Sequence, residues 1–419
     1  MEDLNYTPKS SFLKEFIARG YFYQCTDIEG LDKKFASETI IAYSGTDCTG
    51  KSLHVGHLIQ VMVLRLLQKH GHKPLPLVGG ATSKIGDPSF KDKARSLLSE
   101  EEIQENLEGI VHCMKKFIKF GNEKTDAELV NNSDWLMKIG YIEFLRDYGK
   151  HFSVNRMLGM DSVKTRLERE QSLSFLEFSY MLLQATDFAY LNKHKNCILQ
   201  IGGSDQWSNI INGVDLARKL GLKDSFGLTT PLLTTASGAK MGKTEAGAVW
   251  IKEDMLSPYD YWQFWRNTDD RDVIRFMKMF TDLSLEEIAS LENTEKNINN
   301  LKVILANEAT KLCHGEEEAK KSEAIAASTF GGNRSGEGLP EFEILQSDLE
   351  NGKALYEIMR ESGVVETGAE AKRMIKSNAV KLDDNIINEE MKKVFTNDFV
   401  NNKLKLSVGK KKHIMLVLK

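Results

Sequence analysis

The stretch from Glu38 to Gly80 restricts the fold of this chain more than any other. ETIIAYSG is an apolar, β-prone run ending in glycine. HLIQVMVLRLLQKHG is a helical stretch closed by Gly71, and LPLVGG is a second short strand of buried character. A strand, a turn, a helix and a strand in that order form a βαβ unit. Its two strands lie parallel, and in such sheets ligands gather at the carboxyl ends of the strands.

The same grammar continues downstream. SEEEIQENLEGIVHCMKKFIKF opens with a capping box, Ser99 to Glu102, and carries one stripe of Ile103, Leu107, Ile110, Val111, Met114, Phe117 and Ile118. CILQIGGSDQ repeats the strand-to-helix pattern, and LTTPLLT reads as a strand before the small, lysine-containing stretch ASGAKMGKTEAG. After Trp250 the pattern is helical to about Phe330, and FGGNRSGEGLPEF has the glycines and proline of a linker. Beyond it, ALYEIMRESG and AEAKRMIKSN predict two short helices, with AVKLDD and HIMLVLK as strands. The fold class expected is α/β: a Rossmann-like parallel-sheet domain over 1–235, then a lysine loop and α-helical domain over 236–330. A linker over 331–351 leads to a small α+β domain over 352–419.

Composition excludes several classes. Hydrophobic residues make up 41% and charged residues 28% of 419 positions, which suits a packed globular chain and not a disordered one. No run approaches the roughly 18 apolar residues of a membrane span. The start, MEDLNYTPKS, lacks the basic and apolar regions of a signal peptide, so a cytoplasmic location is expected. The five cysteines, at 25, 48, 113, 197 and 313, never fall in CxxC spacing, which speaks for a reducing compartment and against a cysteine zinc site. Net charge is −4, unevenly spread: Gly352 to Lys419 holds fourteen basic against nine acidic residues, which leaves −9 on the rest. An acidic body with a basic tail module is the expected object.

Gly45 to Ser52 reads GTDCTGKS, a literal match to the phosphate-loop pattern GxxxxGK[ST], placed between strand and helix as that pattern requires. On that reading Lys51 would hold β- and γ-phosphates and Ser52 a magnesium ion. Asp47 inside the loop opposes it, because a phosphate cradle needs unopposed amides. So does the lack of a convincing downstream strand ending in a metal-binding aspartate.

A second constellation overlaps the same turn. His54-Val55-Gly56-His57 places two histidines three apart at a helix N-terminus, where amides and the dipole favour phosphate, and Gly56 permits close approach. Far downstream, Lys240-Met241-Gly242-Lys243-Thr244 sets two lysines three apart among small residues, a cationic loop suited to pyrophosphate. The pair resembles the class I aminoacyl-tRNA synthetases. YSGTDCTGKSLHVGHL, GGATSKIGDPSFK, FLEFSYMLLQATDF, LQIGGSDQW and KMGKTEAGAVW narrow the resemblance to the bacterial-type tyrosyl-tRNA synthetases, and the tail is similar to the ribosomal S-four type RNA-binding domain. Cys48, Ser44, Thr46, Lys51 and Gly242 depart from the usual pattern of that family without removing a residue given a role below.

What the resemblance implies is activation of L-tyrosine by ATP, which brings its own Mg2+, to tyrosyl-adenylate, then transfer to tRNA(Tyr). No tightly bound metal is implied. His54, His57 and Thr49 would hold the phosphates, and Lys240, Lys243, Thr244, Lys91 and Arg95 would clamp the departing pyrophosphate. Gly45, Asp47, Gly56, Gly203, Asp205 and Gln206 would bind the nucleotide or adenylate. Asp87, Tyr180 and Gln184 would surround the substrate's α-ammonium, while Tyr43 and Asp187 would hydrogen-bond its phenol. Lys372, Arg373 and Lys376, with Lys410, Lys411 and Lys412, would meet RNA phosphates. A homodimer is implied, with residues 110 to 175 as interface, and no membrane partner. The alternatives are a phosphate-loop NTPase, a tryptophanyl enzyme, and an RNA-binding protein without catalysis.

Overall fold

The structure is a computed structural model that describes residues 6–88, 98–238, 241–244, 247–330, 339–409 and 412–419. The chain divides into two compact units, Met1–Gly315 and Glu316–Lys419.

The first unit is built on a six-stranded sheet of β1 (Gln24–Cys25), β2 (Ile41–Thr46), β3 (Lys73–Val78), β4 (Val130–Asn131), β5 (Leu199–Gly203) and β6 (Phe226–Thr230). The spatial order is β1-β6-β5-β2-β3-β4. β2 to β6 are all parallel, and the short β1 closes one edge antiparallel to β6. From β2 the chain winds outward through β3 and β4. It then returns to the other side of β2 for β5 and β6, so the winding reverses between β2 and β5. The two crossover helices leave on diverging courses at that point, which opens a crevice at the carboxyl ends of the two strands.

The helix expected after β2 runs Val55–Lys69, and nine of its residues are buried. Its burial exceeds a single stripe because it packs on the sheet and also meets the helices Ser11–Ala18 and Val273–Phe280. Removing Leu67, fully buried, to alanine costs about 2–5 kcal/mol on general grounds. The N-terminal helices Ser11–Ala18 and Ile28–Ser37, and β1, carry too short a pattern to stand out in the sequence.

Helix Glu100–Lys115 begins with the capping box read from the sequence: Glu102 N donates to Ser99 Oγ at 3.2 Å and Ser99 N to Glu102 Oε2 at 2.8 Å. Its stripe is not purely apolar. Asn106 is buried and donates to Cys48 O at 2.9 Å, while a Cβ at Gly109 would lie 2.0 Å from Lys51 O. The helix therefore presses directly on the turn after β2. The chain after Trp250 is helical as expected, with Pro258–Arg266, Val273–Phe280, Leu285–Thr294 and Ile298–His314 in this unit.

In the second unit the strands Asn385–Ile387, Val380–Leu382, Lys403–Val408, Lys412–Leu418 and Glu341–Ile344 form one sheet in that order. Helices Leu355–Glu361 and Gly368–Lys376 complete it over a core of Leu355, Ile358, Ile375, Leu406 and Leu416. Glu341–Ile344 lies inside the stretch read as linker. It pairs parallel with the last strand, whose partner role no local pattern in EFEI announces.

Candidate active site

A cavity of about 320 Å³ fills the crevice beyond β2 and β5. Tyr43, Gly45, Asp47, Thr49, Gly56, His57, Asp87, Tyr180, Gln184, Asp187, Gly203, Asp205 and Gln206 all line it. The parallel winding thus brings to one crevice residues that the sequence spreads from Tyr43 to Gln206. His54 does not line the cavity. Lys91, Arg95 and Lys240 lie outside the described residues, as do Lys410 and Lys411 in the second unit, and of Lys243 and Thr244 only the backbone is described.

One mouth of the cavity is the HVGH turn. His54 is the N-cap of helix Val55–Lys69, and its Nδ1 accepts from Gly56 N at 3.0 Å. His57 Nδ1 accepts from His54 N at 3.2 Å, and the two rings stack with centroids 3.9 Å apart. With both Nδ1 atoms accepting, the tautomer assigned to each ring carries its proton on Nε2, so each is an N–H donor there. The lysine-loop backbone lies against this turn. Val249 N donates to Gly242 O at 3.1 Å, Val55 N to Val249 O at 2.9 Å, and Ile251 N to Leu53 O at 2.9 Å. A Cβ at Gly56 would stand 2.9 Å from Met241 O, and one at Gly242 2.7 Å from Gly56 N. Gly242 also has φ +99°, a region that disfavours side chains. The two glycines are therefore what lets the two motifs meet.

The opposite end is closed and polar. Asp187 is 3% exposed, and accepts from Trp135 Nε1 at 2.7 Å and from Asn132 Nδ2 at 3.0 Å. Burial drives its pKa up to about 7; the two donors pull it down, and the charge of Asp47 adds to the rise. Tyr43 is 1% exposed, packs on Phe188, and its hydroxyl has no hydrogen-bond partner among the described residues. Burial and Asp187 both push that hydroxyl well above the usual tyrosine range, so it stays protonated. Asn132 and Trp135 escape sequence reasoning because NNSDWL carries no periodic signal, and they stand 55 and 52 positions from the carboxylate they hold.

Between the two ends runs a hydrogen-bonded wall. Tyr180 OH donates to Asp47 at 3.1 Å, Thr82 Oγ1 donates to Asp47 Oδ1 at 2.8 Å, and Asn132 Nδ2 donates to Thr82 Oγ1 at 3.0 Å. Gln206 Nε2 donates to Asp87 at 2.7 Å, and Asn209 Nδ2 bridges Gln206 Oε1 and Gln184 Oε1 at 3.2 and 2.9 Å. A Cβ at Gly203 would fall 2.4 Å from Asp205 Oδ1, so glycine there gives the carboxylate its room. Four aspartates (47, 87, 187 and 205) with His57 line a small volume. Such a cavity attracts an ammonium group and resists a polyphosphate unless cations come from its rim.

The phosphate-loop reading of GTDCTGKS fails on geometry. Lys51 Nζ lies outside the cavity in an exposed ion pair with Glu105 at 2.7 Å. Ser52 is buried, donates to Leu53 O at 2.7 Å and accepts from Lys252 N at 3.1 Å. Neither residue faces a place where a triphosphate could sit.

The family profile described as tRNA synthetases class I (W and Y) matches residues 36–331, and one described as S4 domain matches 354–406. The chain is 53% identical to the tyrosine–tRNA ligase of Rickettsia conorii, over 97% of this chain and 99% of that one. The chain belongs to the class I tyrosyl-tRNA synthetases. To the tyrosine–tRNA ligase of Pelagibacter ubique it is 52% identical, over 98% of this chain and all of that one. Among solved structures, it is similar to a C-terminally truncated mitochondrial tyrosyl-tRNA synthetase of Aspergillus nidulans. That likeness has a TM-score of 0.69 at 32% identity and covers 77% of this chain and 95% of that one.

In this synthetase the residues proposed for RNA contact differ in setting. Arg373 and Lys376 are exposed in the last turn of their helix. Lys372 Nζ instead sits 4.4 Å from the centre of the Tyr356 ring, and Lys412 Nζ donates to Val364 O at 2.8 Å. Among the described residues no helix is long and apolar enough to cross a membrane, and no three His, Cys, Asp or Glu side chains form a metal-binding group.

Proposed function

We infer that this chain joins tyrosine to tRNA in two steps. In the first, a carboxylate oxygen of tyrosine attacks the α-phosphorus of MgATP. The bond to the β-phosphate oxygen breaks, giving tyrosyl-adenylate and pyrophosphate. In the second, a hydroxyl of the tRNA's terminal ribose attacks the activated carbonyl and AMP leaves. Neither step needs a protein nucleophile, so the protein contributes position and charge.

The observation that carries the choice of tyrosine is the closed end of the cavity. The Tyr43 hydroxyl lacks a partner among the described residues and the Asp187 carboxylate is held by two donors, both at that end. A substrate phenol would donate to Asp187 and accept from Tyr43. Phenylalanine would leave the Tyr43 hydroxyl dry and unpaired, a loss of about 1–3 kcal/mol, and would deny Asp187 a donor beyond Trp135 and Asn132. Asp87, Tyr180 and Gln184 would receive the α-ammonium beside the carboxylate-rich wall.

At the other mouth, His54 and His57 with Thr49 would hold the ATP phosphates. Lys240, Lys243 and Thr244, with Lys91 and Arg95, would neutralise the departing pyrophosphate. These cations answer the need set by four aspartates in the cavity. Gly45, Asp47, Gly56, Gly203, Asp205 and Gln206 would bind the adenylate. The second unit would hold tRNA(Tyr) through Arg373, Lys376 and their neighbours.

The working enzyme would be a cytoplasmic homodimer. Tyr141, Ile142, Val154 and Phe175 are all more than half exposed and lie in or beside the expected interface. Sedimentation of the wild type as a monomer at micromolar concentration would overturn that assembly. The decisive test of function is pyrophosphate exchange with a panel of amino acids. Exchange should depend on tyrosine; exchange with tryptophan and not tyrosine would refute the substrate.

A further inference from the structure

The lysine loop has a second anchor that its own sequence does not reveal. On its downstream side it is held to the HVGH turn, as described above. On its upstream side Met241 N donates to Leu233 O at 2.9 Å and closes the loop, and Gly238 N donates to Thr235 O at 2.8 Å. Within that closure the arm Thr234–Ala236 is gripped from outside. Ala236 N donates to Asp272 Oδ2 at 2.7 Å, and Arg275 Nη2 donates both to Thr234 O and to Asp272 Oδ1, the latter at 2.7 Å.

The local text is NTDDRD, and its three aspartates have three different settings. Asp269 accepts from Arg271 N at 3.0 Å and closes its own turn. Asp270 is exposed and pairs with Lys302 at 2.5 Å. Asp272 stands at the N-cap position of helix Val273–Phe280, yet its side chain makes no bond to that helix's first amides. It is 3% exposed and turned to a backbone amide 36 positions earlier. A buried carboxylate is costly unless donors hold it, and the donors here are the loop arm and Arg275. Asp272 does not line the cavity.

We propose that Asp272, braced by Arg275, is a positioning residue for tyrosine activation: it fixes the upstream arm of the lysine loop so that the loop's cations meet the departing pyrophosphate. The proposal rests on the pyrophosphate role given above to Lys240 and Lys243. With one arm tied to the HVGH turn and the other to Asp272, the loop is held at both ends. Releasing one end displaces cations whose contribution depends on placement, and an error of about 1 Å in such a group costs on the order of a hundredfold in rate.

The test is pre-steady-state adenylate formation with wild type, Asp272→Ala, Asp272→Asn, Arg275→Ala, Lys243→Ala and the double variant Asp272→Ala/Lys243→Ala. Rates are normalised to active sites counted by the tyrosyl-adenylate burst, and tyrosine affinity is measured separately. The expected result is a drop of about ten- to a hundredfold per active site for Asp272→Ala, with tyrosine affinity within about twofold of wild type. Arg275→Ala should show the same split, and Asp272→Asn should recover part of the rate because its amide oxygen still accepts from Ala236 N. The double variant should lose much less than the product of the two single losses, since both act through one loop. A merely structural role lowers the number of active sites and leaves the rate per site intact. That outcome, or additive losses in the double variant, overturns the proposal. If Lys243→Ala itself turns over normally, the lysine-loop reading has failed and the proposal falls with it. If Lys243→Ala is slow while Asp272→Ala is normal, only the proposal falls.

Discussion

With Asp187 as the proposed acceptor of the substrate phenol, tyrosine binding should depend on pH. Burial raises its pKa from 3.8 to about 7, so the proton is largely on below pH 7 and off above it. A substrate phenol that donates to Asp187 makes a charge-assisted bond only to the ionised form. Such bonds contribute about 1.5–3 kcal/mol against roughly 0.5–1.5 for neutral ones, a difference near 1.4 kcal/mol, or tenfold. By linkage, bound tyrosine should lower the carboxyl pKa by about one unit, to the neighbourhood of 6. The tyrosine Kd should then be constant above pH 8, rise about tenfold between pH 7.5 and 5.5, and level off below. The same shift acts on stability with a definite sign. A carboxyl whose folded pKa is raised contributes most below its unfolded value, and that contribution fades as pH climbs through 7, by about 4 kcal/mol in all. Tyrosine should accordingly raise the melting temperature more at pH 8 than at pH 6. The assay is equilibrium dialysis of labelled tyrosine from pH 5.5 to 8.5 with wild type and Asp187→Asn. The variant should bind at least tenfold more weakly at pH 8 and show no midpoint near 6–7. A flat wild-type profile, or the same midpoint in Asp187→Asn, would refute the assignment.

Three further outcomes are expected. Gly56→Ala places a methyl 2.9 Å from Met241 O and against the His54 ring; pyrophosphate exchange should fall by about a hundredfold or more while tyrosine dialysis is unchanged. Lys51→Ala breaks an exposed pair with Glu105 and should leave exchange within about twofold, whereas loss of activity would revive the phosphate-loop assignment. A chain ending at residue 330 should still form tyrosyl-adenylate but charge tRNA poorly at physiological salt. Full charging by that truncation would exclude the residues beyond 330 from RNA binding.

Much of the fold is legible because its signals are local. Ser99 and Glu102 announce a helix start three residues apart, and that start is observed. Gly71, at φ +81°, ends the helix that the apolar run predicts. Runs such as ETIIAYSG and LQIGG name parallel strands without their order. The N-terminal helices are less legible: Phe12, Leu13 and Phe16 are too few to declare a stripe, and are buried by the Val55–Lys69 helix and its neighbours.

Sequence alone determined the alternation of strands and helices, the glycines at tight places, the basic tail and the pairing of HVGH with KMGKT. Each is a property of residues close in the chain, or of text specific enough to name a family. Tertiary structure alone decided that Lys51 faces solvent, that Asn132 and Trp135 hold Asp187, and that Asp272 accepts from a loop amide and not from the first amides of its own helix. Burial is the physical reason. A carboxylate or hydroxyl acquires its partner and its pKa from whatever the fold packs against it, and those partners arrive from 36, 52 and 55 positions away, beyond the reach of any helical or strand period.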